Sequence, residues 1–239
     1  MPTHSQLNIV IPVFNEEKTI LSVLNKLNSE CKSIKDKNII VVDDGSKDKT
    51  PFLLKKNAKL YSKLIISENN LGKGGAIMLA LEHIKTGYVL IQDADLEYDP
   101  AEISRLWNLV RENDIDVLLT TRLSGSPLTR VHYFWHKLGN KFITFVFNIV
   151  NNTTFTDIYS GYIFFRNDLV DYKKLIFNGW AQQAEILTYL KHKSKKIYEA
   201  PISYKGRTYE EGKKINKSAV FLVVLSMFLT KFRILIARK

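Results

Sequence analysis

Carboxylates close two apolar runs of this chain. The sequence DDGS at residues 43–46 ends one run, and DAD at residues 93–95 ends another. Ligands of open α/β sheets bind at the edge where the parallel strands end, so both motifs are expected at one edge. Two carboxylates one residue apart, such as Asp93 and Asp95, suit a hard divalent cation that takes oxygen ligands. The two motifs together predict a nucleotide diphosphate held through a metal ion, whereas either motif alone could equally be a strand that runs into a polar turn.

A glycine-rich segment, NNLGKGG at residues 69–75, precedes a predicted helix. Glycines let the backbone approach a phosphate closely, and the N–H groups of a helix N-terminus favour anions. We therefore expect a phosphate-contacting loop with Lys73 as its cation; the alternative is an ordinary turn with one exposed lysine. The segment is not a P-loop, and GxGxxG is also absent from it, so the sequence supports neither an ATPase nor a dinucleotide-binding protein.

These motifs depend on alternating strands and helices for their placement. Apolar runs predict strands at residues 7–13, 39–42, 64–67, 88–92 and 117–121, and periodicity predicts helices from residues 15–17 onward and at 50–61, 74–84 and 100–113. After residue 122 the alternation is lost, and we expect an aromatic-rich helix at 131–150, strands at 163–166 and 197–204, and a helix at 184–190. The predicted fold class is α/β, with a mainly parallel sheet flanked by helices.

The composition is that of a globular domain. The 239 residues are 45% hydrophobic and 25% charged, which is enough for one α/β domain with a proper core. The single cysteine, Cys31, excludes an internal disulfide, and the start of the sequence lacks the pattern of a signal peptide. These features predict a protein of the reducing cytosol.

The positive charge is concentrated near the C-terminus. The net charge is +11, but residues 1–190 hold 22 basic and 21 acidic residues, whereas residues 191–239 hold 13 basic and 3 acidic residues. The basic region borders the apolar stretch 219–229, which predicts attachment to an anionic membrane surface. Lys231 and Arg233 interrupt the stretch, so it is too short to span a bilayer. The alternative is a basic tail whose apolar residues complete the core or a dimer interface.

Two domains follow from this division of charge. Residues 1–217 are expected to form the α/β domain, and residues 218–239 a basic, apolar helix for membrane-surface attachment. The helix at 131–150 fits packing on the sheet or contact with lipid equally well. Nucleic acid is not an expected partner, because the residues before the basic region are nearly neutral.

Four segments have the order and spacing of one enzyme family. They are PVFNEE at residues 12–17, VVDDGS at 41–46, NLGKG at 70–74 and DADLE at 93–97. Through them the chain resembles the inverting GT-A glycosyltransferases. Two further segments, TDIYSGY at 156–162 and PISYKGRTYEEGKK at 201–214, are similar to the branch typified by dolichyl-phosphate mannose and glucose synthases. The resemblance covers residues 9–217 and implies a GT-A fold and a nucleotide-sugar enzyme.

The resemblance also implies roles for individual residues. The nucleotide-sugar positions are Pro12, Phe14, Glu16, Val42, Asp44, Lys73, Asp93, Ala94 and Asp95, and the metal positions are Asp93, Asp95 and Glu97. The acceptor-phosphate positions are Arg122, Arg130, Arg207 and Lys213. The catalytic residues are Asp95, Arg122 and Arg207. Two positions depart from the family pattern. Phe14 replaces the usual tyrosine and lacks its hydroxyl, and Glu97 adds a carboxylate where a neutral residue is frequent.

These features together predict the reaction. The expected enzyme uses Mg or Mn to transfer a hexose, with inversion, from a GDP- or UDP-sugar to dolichyl or undecaprenyl phosphate, on the cytoplasmic face of a membrane. A phosphate oxygen is already anionic near pH 7 and can attack without a general base. A separate membrane subunit is left open as a further partner.

Two other hypotheses remain. If the acceptor is a sugar hydroxyl of a glycan or glycolipid, a carboxylate base is required, and Glu185 or Asp157 is the candidate. If the chain is a non-catalytic membrane-docking protein, it binds nucleotide sugars without transferring them.

Overall fold

A seven-stranded sheet forms the centre of the protein. The structure, a computed structural model, describes residues 5–123, 134–204 and 217–237. The strands are β1 Leu7–Val13, β2 Lys37–Asp43, β3 Lys63–Ile66, β4 Tyr88–Ile91, β5 Val117–Thr121, β6 Ile163–Arg166 and β7 Ile197–Pro201. Their order across the sheet is β3-β2-β1-β4-β6-β5-β7. Strand β2, which ends in the first residue of the DDGS motif, and strand β4, which ends just before the DAD motif, therefore flank β1.

The sheet is mainly parallel, as expected. Strand β1 runs parallel to β2 and β4, β2 to β3, and β5 to β7. Strand β6 is antiparallel to both β4 and β5. The predicted α/β class is confirmed. The antiparallel strand β6 lies after residue 122, where the sequence loses its alternation of strands and helices.

Helices cover both faces of the sheet. They are α1 Ile20–Glu30, α2 Thr50–Lys56, α3 Gly72–Glu82, α4 Ala101–Glu112, α5 Phe134–Asn151, α6 Ala181–Lys193 and α7 Lys217–Ile236, with short 3₁₀ turns at Ala58–Leu60, Asn167–Leu169 and Tyr172–Lys174. Helices α1, α2 and α4 contribute to one hydrophobic core layer, and α3, α5, α6 and α7 to the other. Alternate residues of the strands serve the two layers: Ile9 and Ile11 lie in the first and Val10 in the second.

Several element boundaries differ from the sequence expectation. The first helix begins at Ile20 rather than at residues 15–17, because Asn15 has a φ of 54° and its side-chain oxygen accepts from Lys47 N at 2.7 Å. The expected helix at 50–61 ends at Lys56 and is followed by a 3₁₀ turn. The expected strand at 197–204 ends at Pro201, and Tyr204 forms only an isolated bridge with Tyr98.

Helix α7 has two different faces. Val223, Met227 and Ile234 are buried in the same core layer as α6, whereas Phe221 and Phe228 are exposed. Helix α5 is divided in the same way, with Phe147 buried and Leu138, Phe142, Phe145 and Ile149 exposed. Each segment thus packs on the core with one face and leaves apolar side chains exposed on the other. Within the described ranges, no helix is long and apolar enough to cross a bilayer.

Candidate active site

The loop after β2 is tied to the loops on either side of it. The backbone N–H of Asp44 donates to Val13 O at 2.8 Å, and the N–H of Asn15 donates to Ser46 Oγ at 2.9 Å. On the other side, the N–H of Leu71 donates to Asp44 Oδ1 at 2.8 Å. The DDGS motif therefore connects the end of β1 with the glycine-rich residues 69–74. These residues are the end of the loop before α3 and the first three residues of α3, and we call them the 69–74 loop.

Gly45 makes this packing possible. Its φ is +74°, a backbone conformation that residues with a side chain rarely adopt. A Cβ at this position would also lie 3.0 Å from the carbonyl carbon of Asn69. The DDGS motif and the 69–74 loop are thus in backbone contact. A strand running into an ordinary polar turn would not require such an approach.

The same loop reaches the second carboxylate motif. Lys73, in the first turn of α3, forms an ion pair with Asp93 through Nζ and Oδ1, and both side chains are partly exposed. The 69–74 loop therefore contacts Asp44 through Leu71 and Asp93 through Lys73. Two motifs that lie about fifty residues apart in sequence meet at one loop and one sheet edge.

Asp95 and Glu97 lie in the loop that follows β4. Asp95 Oδ1 accepts from the backbone N–H of Glu97 at 3.1 Å, and Glu97 Oε2 accepts from the hydroxyl of Tyr204 at 2.9 Å. Among residues 5–123, 134–204 and 217–237, no three His, Cys, Asp or Glu side chains are grouped as a metal site. A donor set of one or two carboxylates still fits Mg²⁺ or Mn²⁺, because such ions commonly take their other ligands from water and substrate phosphates.

Arg122, which follows β5, is fixed by a buried carboxylate. Its Nε and Nη2 donate to the two oxygens of Asp157 at 2.7 and 2.9 Å, and the Asp157 side chain is fully buried. Asp157 Oδ1 also accepts from Asn140 Nδ2 at 2.7 Å and from Tyr159 N at 3.2 Å. Burial alone would raise the pKa of Asp157, but the hydrogen bonds and charge of Arg122 outweigh burial and lower it.

Tyr204 connects Arg122 with the loop after β4. The guanidinium carbon of Arg122 lies 5.1 Å from the centre of the Tyr204 ring, a distance suited to a cation–π contact. The Tyr204 hydroxyl donates to Glu97, as described above. The bond to Glu97 and the pair with Asp157 join residues more than thirty positions apart, so no local sequence pattern indicates them.

Glu185, the second candidate base, is enclosed in α6. Its side chain is fully buried, and its oxygens accept from the backbone N–H groups of Ile176 and Phe177 at 3.1 Å. Arg233 of α7 lies 3.5 Å from the same carboxylate. Burial raises the pKa of Glu185, and the two backbone donors partly oppose this effect. The carboxylate serves to hold the segment before α6 and the end of α7.

The remaining expected nucleotide positions also lie at this sheet edge. Pro12 and Val42 are paired near the ends of β1 and β2, Phe14 and Glu16 follow β1, and Ala94 is buried after β4. Thr50 Oγ1 accepts from the N–H of Glu16 at 3.0 Å, and Glu16 Oε2 accepts from Thr19 Oγ1 at 2.6 Å. The expected acceptor residues Arg130, Arg207 and Lys213 lie outside the described residues.

Comparison with known sequences identifies several relatives. Agl6 of Haloferax volcanii, a low-salt glycan biosynthesis hexosyltransferase, is 28% identical over 205 residues, which are 85% of this chain and 49% of the relative. An undecaprenyl-phosphate 4-deoxy-4-formamido-L-arabinose transferase of Pseudomonas fluorescens is 38% identical over 125 residues, which are 51% of this chain and 36% of the relative. The chain thus spans about half the length of these curated relatives or less.

Comparison with solved structures concerns the fold. Glucosyl-3-phosphoglycerate synthase from Mycobacterium tuberculosis, solved with Mn²⁺, UDP and phosphoglyceric acid, has a TM-score of 0.69 at 18% identity, covering 95% of this chain and 78% of that one. The S. aureus TarS fragment 1–349 has a TM-score of 0.61 at 19% identity, covering 95% and 72%. The GT-A fold expected from the sequence is confirmed.

The family match is the most direct of these findings. Residues 8–172, more than half of the chain, match the family described as Glycosyl transferase family 2. This range contains all but the first residue of β1, the whole of β2 to β6 and the loops that carry both carboxylate motifs. The chain therefore belongs to Glycosyl transferase family 2.

Proposed function

We propose that the protein transfers a hexose, with inversion, from a nucleotide diphosphate sugar to a polyprenyl phosphate in a metal-dependent reaction. Membership of Glycosyl transferase family 2 supports sugar transfer. The names of two relatives, a hexosyltransferase and an undecaprenyl-phosphate transferase, support the hexose and the lipid phosphate respectively.

The observation that carries the donor assignment is the meeting of both carboxylate motifs at the 69–74 loop. Asp44 and Asp93 are each in contact with this loop, and Lys73 offers a cation at the start of α3. A diphosphate bound there would meet backbone N–H groups and the lysine. Asp93 and Asp95, with Glu97 beside them, would hold Mg²⁺ or Mn²⁺, which stabilises charge on the departing phosphate. Residues 12–16 and 42–44 would contact the nucleoside.

The acceptor assignment rests on the state of the two candidate bases. Asp157 is engaged by Arg122 and Asn140 and has a lowered pKa, so it is poorly suited to remove a proton. Glu185 is fully buried, and backbone N–H groups occupy its oxygens. A phosphate acceptor needs neither carboxylate, because its attacking oxygen is already anionic. Arg122, with Arg130, Arg207 and Lys213, would orient that phosphate for direct displacement at the anomeric carbon, which inverts its configuration.

The exposed apolar faces of α5 and α7 support attachment to a membrane surface. Helix α7 alone exposes Phe221, Phe228 and Phe232 by more than half of their surface. Residues 191–239 carry 13 of the 35 basic residues and only 3 acidic ones. Apolar burial and attraction to anionic lipids act together in such a helix. We place the enzyme on the cytoplasmic face, where the lipid phosphate and the donor could meet.

A donor and acceptor panel tests this function. Purified protein is incubated with labelled UDP- and GDP-hexoses and with undecaprenyl phosphate, dolichyl phosphate or a glycolipid that offers sugar hydroxyls, in MnCl₂, in MgCl₂ or in EDTA. We expect one donor to give a glycolipid that EDTA abolishes. Transfer only to a sugar hydroxyl would contradict the acceptor assignment, and nucleotide-sugar binding without transfer or hydrolysis would favour the non-catalytic hypothesis.

A further inference from the structure

Two adjacent glutamines at the start of α6 contact opposite sides of the candidate site. The Nε2 of Gln182 donates to the backbone carbonyl of Gly74. The Nε2 of Gln183 donates to the carbonyls of Ile158 at 2.8 Å and Ser160 at 3.0 Å. Neighbouring residues of a helix point about 100° apart, so one turn of α6 can reach two separate loops.

Gln182 supports the donor side. Its target, Gly74, follows Lys73 in the first turn of α3, and Gln182 itself is buried. A Cβ at Gly74 would lie 2.9 Å from Gln182 Cβ and 2.9 Å from Gly179 N, so only a glycine admits the approach. The start of α3 therefore rests against the start of α6, and the amide of Gln182 holds Gly74, the last residue of the 69–74 loop, against α6.

Gln183 supports the acceptor side. Ile158 and Ser160 lie one and three residues after Asp157, the carboxylate that holds Arg122. The Ser160 hydroxyl is also 2.6 Å from Thr120 Oγ1, two residues before Arg122. The amide of Gln183 therefore holds the segment that carries the partner of Arg122.

The glutamines act from a fixed support. Glu185, one turn further along α6, binds the backbone N–H groups of Ile176 and Phe177. The hydroxyl of Tyr159 donates to Trp180 O at 2.8 Å, which ties the acceptor side to the residue before α6. These hydrogen bonds hold the first turn of α6 against the segments on either side of it.

We propose that Gln182 and Gln183 are positioning residues and that each of them supports the binding of one of the two substrates. Gln182 acts on donor binding through the 69–74 loop, and Gln183 acts on acceptor binding through Asp157 and Arg122. The proposal rests on the proposed function, because it takes Lys73 as a donor contact and Arg122 as an acceptor contact.

The test compares Gln182→Met with Gln183→Met. Methionine nearly preserves the volume of glutamine but cannot donate a hydrogen bond, so each variant is the matched control of the other. We expect Gln182→Met to raise the donor KM about fivefold, the equivalent of one hydrogen bond, with little change in acceptor KM. Gln183→Met should raise the acceptor KM about fivefold, with little change in the donor KM. A general loss of structure would move both constants together.

Nucleotide binding supplies a readout without turnover. Calorimetry with UDP and with GDP, each in MnCl₂, should show weaker binding to Gln182→Met and unchanged binding to Gln183→Met. If Gln182→Met does not fold, Gln182→Asn keeps the amide but is too short to reach Gly74, and it should weaken nucleotide binding in the same way.

The outcomes separate this inference from the proposed function. Wild-type protein that binds nucleotide but makes no glycolipid would contradict the proposed function, and the binding comparison would still decide the role of Gln182. Active wild-type protein with equal effects of both variants on both KM values, or with effects on melting temperature alone, would overturn the division of roles.

Discussion

Arg122, the proposed acceptor-phosphate residue, is held in one orientation by its neighbours. Asp157 occupies its Nε and Nη2, and the ring of Tyr204 lies against its guanidinium. A guanidinium held in this way loses little conformational freedom when a ligand arrives. Its charge is already compensated by a buried carboxylate, so we expect it to orient a phosphate more than to attract it from a distance.

Replacing Asp157 by asparagine tests this role. Asparagine offers one acceptor where the carboxylate offers two, so Arg122 should lose its fixed orientation and the acceptor KM should rise roughly tenfold, as for a lost charged hydrogen bond. The shape of the pH–rate profile should stay unchanged, since no proton is taken by this residue. Steady-state kinetics between pH 6 and 9 checks both points.

Asp168→Asn is the control for that experiment. Asp168 forms an ion pair with Arg166 at 2.7 Å. Arg166 lies opposite Tyr88 in the pairing of β6 with β4, and Tyr88 begins β4, so this ion pair is at the opposite edge of the sheet from the candidate site. We expect normal kinetics for this variant. A pH–rate limb that disappears in Asp157→Asn would identify Asp157 as a general base and contradict the phosphate acceptor.

The same residue predicts how stability depends on pH. Because the folded-state pKa of Asp157 is lower than its unfolded value of about 3.9, the pair with Arg122 stabilises the fold above that value and is lost as the pH falls through the folded pKa. Urea unfolding between pH 7 and pH 2 should therefore show a shallower acid loss of stability in Asp157→Asn. Parallel curves for the two proteins would contradict the lowered pKa.

At the scale of elements, strands were predictable where apolar runs end in acids. Strand β5 has its predicted bounds, and β4 ends one residue early, because buried runs of four to seven residues carry a strong local signal. The start of α1 was wrong because Asn15 is held by the loop after β2, which is a tertiary effect. The direction of β6 depends on a long crossover and leaves no local trace.

The candidate site was predictable to a different depth. The carboxylate motifs and the 69–74 loop were identified because two apolar runs that end in acids, and a glycine-rich segment before a helix, are visible in the sequence itself. Asn140, Gln182 and Tyr204 were missed because each acts on a residue far away in the sequence through one hydrogen bond. Such contacts depend on how helices are seated on the sheet, which residue spacing does not encode.

Gly45→Ala tests the packing between loops. A Cβ at φ +74° is strained and would approach the backbone of Asn69, so the DDGS motif should move away from the 69–74 loop. We expect a loss of stability of about 1–3 kcal/mol and weaker binding of UDP or GDP with MnCl₂. Calorimetry and urea unfolding measure the two effects.

The control for Gly45 lies in α5. Among the described residues, a Cβ at Gly139 would meet no atom within 4 Å apart from the backbone of its own helix, so Gly139→Ala should be neutral or stabilising by up to about 1 kcal/mol. Equal behaviour of the two alanine variants would contradict the role assigned to Gly45.

At the scale of the whole molecule, α7 contributes to the core on one side and leaves apolar side chains exposed on the other. Val223 and Met227 complete a core layer, while the opposite face exposes Phe221, Phe228 and Phe232. Deleting residues 218–239 would therefore also uncover the core. A substitution on the outer face is a cleaner test of membrane attachment.

We expect the double variant Phe145→Glu, Phe228→Glu to lose membrane binding. Both side chains are more than half exposed, so the fold should tolerate the change. Each phenyl ring that the membrane would bury contributes about 1.5–3 kcal/mol, so losing two should weaken vesicle binding tenfold or more. Flotation with phosphatidylglycerol vesicles measures the change. Phe52→Glu, on α2 and equally exposed, is the control. Unchanged flotation of the double variant would contradict attachment through α5 and α7.

The sheet order has a consequence for how the enzyme becomes competent. Strand β1 is bracketed by β2 and β4, and Leu7 is in register with Tyr88, some eighty positions later. Closing so large a loop is slow compared with forming a helix. Refolding protein should therefore regain its capacity to take up nucleotide late, in step with its tertiary fluorescence and well after its far-ultraviolet dichroism.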